Sequence, residues 1–289
     1  MTSPIRKPRN GKIVVHRLNR STVWVNGTLL MLILITLFGF ITIDTKGADL
    51  AESSIQTFKY LGQMFGSPRG VASHFNAAEG NWALVLIAGL KLVGTTLALA
   101  FLTTILGAVI ALFLGLFAAK NLGNAQSSAI IKGFVAIIRS VPTVLWVLIF
   151  AIGAGMGSVA AVIGMSFHTI GYLLKAYSET FEEIDAGTID ALKASGATWW
   201  HIVFQAVLPS SITALISWTF MRFEVNFAVA VAMGAAAGAG GIGYQLFMAS
   251  SYFFDIREIG FATYLILATA LLMELIATQL QKKYHINKQ

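Results

Sequence analysis

Few side chains in this sequence could do chemistry, and the two that stand out sit where charge is least welcome. Arg222 and Glu224 interrupt the segment Leu208–Ala235, which apart from them and Asn226 is made of apolar, small and hydroxyl-bearing residues. Burying an ionisable group in lipid is costly and marks a partner or an aqueous cavity. At i and i+2 the pair does not share a helix face, so each needs its own environment. Arg222 therefore reads either as one half of an ion pair with a neighbouring helix or as a fixed cation beside an anion pathway. Glu224, which repels anions, reads as structural, and Asn226 follows Arg222 after one helical turn. His168 has no second histidine at ligand spacing, so no metal site is expected. Cysteine is absent, which excludes disulfides, thiolate metal sites, iron–sulfur clusters and cysteine nucleophiles. Neither H-E-x-x-H, G-x-S-x-G nor a paired-acid constellation occurs, so no hydrolytic enzyme and no cofactor are expected.

A second concentration of polar residues lies at 176–207, reading AYSETFEEIDAGTIDALKASGATWWHIVFQAV. It is too polar to span a membrane and too patterned for a random loop. Two short helices around a glycine are expected. Glu179, Glu182, Glu183 and Asp185 surround the first turns, Gly187 interrupts, and Thr188 caps a helix through Ile189, Leu192 and Lys193. Gly196 permits a sharp bend. Trp199, Trp200, Ile202, Val203 and Phe204 then resume an amphipathic helix at the membrane interface, where tryptophan is favoured, and Pro209 marks the return to the bilayer.

Two further strings act as punctuation. Arg139-Ser140-Val141-Pro142 predicts a kink or break, because proline lacks an amide hydrogen and disfavours helix in the residue before it; a hinge and a static kink are both open readings. Gly238-x-Gly240-x-x-Gly243 matches the letters of a dinucleotide fingerprint, but that motif needs a βαβ context, and here an apolar helix over 227–237 precedes it. A tightly packed turn including Gly241 is expected instead. Gly234 with Gly238, and Gly153 with Gly157, form G-x-x-x-G pairs that allow close helix approach.

The elements that must position these residues follow from composition. Hydrophobic residues make up 56% of the 289 and charged ones 11%, with a mean hydropathy of +0.75. Lipid is the natural solvent of such a chain, and its net charge of +7 orients it in a membrane rather than on nucleic acid. Crossing about 30 Å of hydrocarbon takes about 20 helical residues. Six stretches qualify: Trp24–Ile43, Trp82–Ala119, Ile130–Ala154, Val159–Lys175, Leu208–Ala235 and Ile259–Leu280. The first follows a basic tail and reads as a retained signal-anchor. An interfacial helix is expected around Ser53–Phe65. With both termini in the cytoplasm, 14 of the 20 Lys and Arg fall on that side, five fall opposite and Arg222 lies within a span, as the positive-inside rule requires. The organisation is then a basic tail (1–23), an N-terminal span (24–43), an external connection (44–81), a core (82–281) holding the cytoplasmic loop 176–207, and a C-terminal tail (282–289). A secondary transporter or channel would also show six spans with buried charges, but inverted repeats would accompany them, and no convincing repeat is visible.

Asp190-Ala191-Leu192-Lys193-Ala194-Ser195-Gly196-Ala197, followed by Leu208-Pro209, resembles the EAA loop of binding-protein-dependent ABC importer permeases; Asp190 replaces the usual glutamate and Leu192 the usual second alanine. Within that family, Tyr177-Ser178-Glu179, Arg222-Phe223-Glu224-Val225-Asn226 and Gly238–Gly243 are similar to the permeases of phosphonate transporters, over about residues 90–280. Where those commonly carry an arginine soon after the asparagine, this chain has Phe227-Ala228. Arg139–Pro142 also resembles the family pattern. The resemblance implies an all-α, methionine-importer-like fold with one additional N-terminal span in a prokaryotic plasma membrane. It also implies a second permease copy, two ATP-binding subunits and an extracytoplasmic substrate-binding protein. Asp190, Ala191, Lys193, Ala194, Gly196 and Ala197 would couple to the ATPase, and Arg222, Glu224 and Asn226 would be pathway candidates. Arg139, Pro142, Gly238, Gly240, Gly241 and Gly243 would be hinge candidates. The chain has no G-x-x-x-x-G-K-[ST] phosphate loop, so ATP chemistry would belong to a partner.

Overall fold

The computed structural model describes residues 20–43, 47, 49–68 and 82–285, and among them forms helices and their connections without strands. The expectations for the tail before Arg20, for 69–81 and for the last four residues lie outside the described residues. The chain divides into two units, Met1–Phe58 and Lys59–Gln289.

The first unit holds α1 (Arg20–Thr42) and the opening of α2 (Leu50–Gly66). Helix α1 is apolar on every face and buries none of its residues, as befits a segment solvated by lipid. Its hydroxyls do not waste hydrogen bonds: Thr28, Thr36 and Thr42 each donate to the carbonyl four residues back, at 2.8 Å. Asp49 caps α2 by accepting from the Ala51 amide at 2.8 Å. The helix expected over Ser53–Phe65 falls within α2.

In the second unit the end of α2 lies on α11, where the Tyr264 hydroxyl donates to the Phe65 carbonyl at 2.7 Å. The core is built on α6 (Ser158–Glu182), which packs against α3 (Trp82–Ala118), α4 (Ala125–Ser140), α5 (Thr143–Ala154) and α9 (Leu208–Ala237). Small residues at four-residue spacing on α3, namely Gly107, Ala111 and Gly115, form the stripe that lets α6 approach. A Cβ at Gly107 would stand 2.5 Å from Thr169 Cγ2, so no larger residue fits there without a shift.

The segment Ile130–Ala154, expected as one span with a kink or break at Pro142, is broken there: two helices meet at 88° across Val141-Pro142. Proline forbids continuation and the orphaned Ile138 carbonyl is recovered by the Trp146 indole N–H at 3.1 Å, which holds the bend as a defined corner. At about 1.5 Å per residue neither half crosses a bilayer alone.

Helices α7 (Ala186–Ala194) and α8 (Trp199–Ile202) follow α6, and a π turn (Val203–Val207) joins α8 to α9. Pro209, expected where the chain returns to the bilayer, lies in the first turn of α9. It sits in a continuous helical run, Trp199–Ala237, because the widened turn just before it takes up the proline: the Leu208 amide bonds the Val203 carbonyl five residues back. Beyond α9, Gly238 (φ 62°) and Gly240 (φ 83°) adopt left-handed geometry and reverse the chain. Helix α10 (Gly241–Ser251), which no sequence expectation covered, then folds back onto α9, and α11 (Ile256–His285) completes the unit. A Cβ at Gly234 would lie 2.7 Å from the Tyr244 amide nitrogen, so helix-on-helix contact is the use of that glycine.

Candidate functional site

The polar loop resolves into a short helix clamped on a rigid platform. Asp185, rather than Thr188, caps α7, its carboxylate accepting from the Thr188 amide at 3.1 Å. Gly187, expected to interrupt the helix, lies inside its first turn. Ile189 is 2% exposed and packs with Leu116, Phe181, Ile202 and Val207, and Leu192 rests on the same cluster. The opposite face presents Asp190, Ala191, Lys193 and Ala194 to the surface, with Asp190 and Lys193 paired at 3.7 Å. Gly196 (φ 85°) turns the chain, and its amide and that of Ala197 close onto the Lys193 and Leu192 carbonyls. Ala197 is half-buried.

The platform is stitched at three points. Glu182, at the end of α6, accepts from the Lys120 amide at 2.8 Å and pairs with Lys132 of α4 at 2.7 Å. Asn121 donates to the Phe181 carbonyl at 2.7 Å. Trp199 donates its indole N–H to the Leu122 carbonyl at 2.9 Å and stacks on Phe117, with centroids 5.4 Å apart. Trp200 and Phe204, both exposed, stack on one another across α8 and the π turn. Glu182 and Trp199 stood in the loop as polar or interfacial residues; their role as staples depends on the Lys120 amide and the Leu122 carbonyl that the α3–α4 turn leaves open, and has no signature in the sequence.

Within the core a second site surrounds Arg222, which is 4% exposed. It has no carboxylate partner among the described residues. Its Nη2 meets His168 Nδ1 at 3.0 Å, its Nε donates to Thr169 Oγ1 at 3.4 Å, and its carbon centre lies 5.2 Å from the Tyr172 ring centroid. A cation over an aromatic face is stabilised without a counter-charge. Asn226 is fully buried and bonds Thr104 of α3 at 2.8 Å and Thr169 of α6 at 3.1 Å, so it ties three helices together. Glu224 is half-buried and neighbours Glu274 of α11. Arg139 is exposed, its stem lying across Gly171, where a Cβ would stand 2.8 Å from Arg139 Cγ. Pro142 forms the corner already described. Gly238, Gly240 and Gly241 make the α9–α10 turn, and Gly243 presses on the Val231 backbone. A separate cavity of about 270 Å³ between α3 and α9, lined by Phe101, Ile105, Phe220 and Phe223 among others, is apolar.

His168, Thr169, Tyr172 and Thr104 were not singled out as surroundings of Arg222. The signal was present, since 168, 169 and 172 share one side of a helix, but only the packing of α6 on α9 turns that side toward the arginine.

Known proteins give this arrangement a context. The phosphate-import permease protein PhnE of Mycolicibacterium smegmatis is 32% identical over 153 residues, 53% of this chain and 29% of that protein. The phosphite transport system permease protein PtxC of Stutzerimonas stutzeri is 29% identical over 190 residues, 65% of this chain and 68% of that protein. The chain thus spans under a third of the first relative and about two thirds of the second. Among solved structures, a chain of the inward-facing MetNI methionine ABC transporter superposes with a TM-score of 0.61 at 23% identity, covering 68% of this chain and 95% of that one; at that identity the likeness concerns the fold. The binding-protein-dependent transport system inner membrane component family matches residues 111–284, which hold both the clamped loop helix and the buried arginine. With more than half its length matched on a fold of the same kind, the chain belongs to the family of binding-protein-dependent transport system inner membrane components.

Proposed function

We propose that this chain is the membrane-spanning permease subunit of an ATP-driven importer for a small phosphorus oxyanion, a phosphonate or phosphite. The observation that carries the transport reading is α7: a nine-residue helix, too short to be stable alone, held by its buried face and left with Asp190, Ala191, Lys193 and Ala194 free to meet a partner. Such a surface suits the groove of a separate ATPase subunit, which supplies the nucleotide chemistry. Two copies of the chain enclose the pathway, two ATPase subunits sit below, and a soluble binding protein delivers the solute from outside. Both termini face the cytoplasm, with the loop 176–207 on the same side. The corner at Arg139–Pro142 and the turn at Gly238–Gly243 are the places where helices re-aim between inward- and outward-open states.

The names of the two curated relatives and the positive potential of Arg222 support an oxyanion as the solute. A guanidinium fixed in low-dielectric surroundings lowers the barrier for an anion.

Co-expression with its ATPase and binding protein, reconstitution in liposomes and measurement of labelled methylphosphonate and phosphite uptake test the proposal. ATP-dependent uptake of either is expected, with no ATP hydrolysis by the purified chain alone. Hydrolysis by that chain, or a complex that carries only cations or uncharged solutes, refutes it.

A further inference from the structure

Two arginine side chains meet the same stretch of α6. Arg222 reaches it from α9, and Arg139 reaches it from the last turn of α4, its stem crossing at Gly171. The charge of Arg139 acts on both His168 and Arg222. Like charges repel, and burial makes the charge of Arg222 the more costly of the two. Yet neither guanidinium meets a carboxylate among the described residues. Of the acids on the surrounding helices, Glu179 and Glu182 of α6 are occupied by Lys175 and Lys132. Glu224 neighbours Glu274 on α11.

The guanidinium of Arg222 is also held in one orientation. Its Nε and Nη2 are engaged by Thr169 and His168, and Tyr172 covers a face. The printed hydrogen bonds of Arg222 use Nε and Nη2 alone, which leaves Nη1 without a protein partner among the described residues. The exposed Arg139 side chain lies along the same stretch of α6. Guanidinium N–H groups match the oxygens of a tetrahedral oxyanion.

We infer that Arg139 and Arg222, meeting at the His168–Tyr172 turn of α6, form a two-guanidinium site that holds a tetrahedral phosphorus oxyanion in transit. His168 and Thr169 are positioning residues that fix the Arg222 fork, and Tyr172 keeps that guanidinium buried when the site is empty. The inference rests on the reading of the chain as an oxyanion permease and adds Arg139, which otherwise serves only the corner at Pro142.

Arg139 is the residue to test, because it is exposed and glutamine keeps the Cγ that lies across Gly171. R139Q and R139K are compared with the parent in the full complex in liposomes. Labelled methylphosphonate uptake is normalised to assembled complex measured by gel filtration. R139Q is expected to lower maximal uptake about tenfold, equivalent to about 1.4 kcal/mol, while R139K, which keeps the charge, retains most of it. R222K is expected to fall between them, since it keeps the charge and loses the fork. Uptake by R139Q at the parental rate overturns the site and leaves the importer reading intact. Equal losses in R139Q and R139K assign Arg139 to the corner and also overturn it. A parent complex that takes up no phosphorus oxyanion refutes the proposed function itself.

Discussion

Truncating Ile189 to alanine isolates the part that α7 plays. The side chain is 2% exposed and sits among Leu116, Phe181, Ile202 and Val207. Removing its three outer carbons forfeits about 2.4 kcal/mol of transfer energy at about 0.8 kcal/mol per group. The cavity left behind raises the total to about 3–4 kcal/mol. A nine-residue helix has no independent stability to draw on, so this loss falls on its docking rather than on the span bundle. At about 1.4 kcal/mol per factor of ten, the undocked population rises on the order of a hundredfold. Amide exchange followed by mass spectrometry reads it directly. The amides of Ser195, Gly196 and Ala197, which close onto the carbonyls of Ala191, Lys193 and Leu192, are expected to lose protection by about that factor, while α6 and α9 keep theirs. Uptake per ATP consumed should fall in parallel. Unchanged exchange at these amides, or an equal rise across α6 and α9, would refute the reasoning.

Three other outcomes are expected. Gly196→Leu places a branched side chain at φ 85°, and Asp190→Lys reverses a charge on the exposed face. Both should leave the chain inserted in the membrane and abolish ATP-driven uptake, whereas normal uptake and hydrolysis in the purified variants would remove α7 from the coupling role. Asn226→Leu strips the hydroxyls of Thr104 and Thr169 of a shared partner, a loss of about 1–3 kcal/mol that should lower the Tm of the complex; an unchanged Tm contradicts it. Gly243→Leu meets the Val231 backbone, and crosslinking between α9 and α10 should weaken, with efficient crosslinking as the contrary result.

Helix class and span positions were legible because lipid demands length and apolarity together: the expected Trp82–Ala119, Leu208–Ala235 and Ile259–Leu280 each match a helix to within a few residues at most ends. Rules that depend on hydrogen bonding at a single point were less visible. Pro142 announced a break but not its angle, since 88° is set by Trp146 reaching back to Ile138. Pro209 looked like a boundary and is absorbed by a π turn, whose shifted ladder leaves no compositional trace. Helix α10 was missed because eleven residues are too few for a span and its glycine-rich start resembles a loop. Arg222 drew attention for its cost, but its neutral surroundings come from α6, more than 50 positions away in the chain.

The π turn has a mechanical meaning. A break at Pro209 would have left the tryptophan-anchored end and the arginine on separate bodies, each able to move without the other. Because the widened turn keeps Trp199–Ala237 continuous, one stiff rod carries both, with about 35 Å of helix between Trp199 and Arg222 at 1.5 Å per residue. A tilt applied at the stacked Phe117–Trp199 end is therefore delivered at the guanidinium, geared by the distance of each from the pivot. The π turn is where the α-helical ladder changes register between those two points, so its stiffness would set how much of any tilt is passed along the rod.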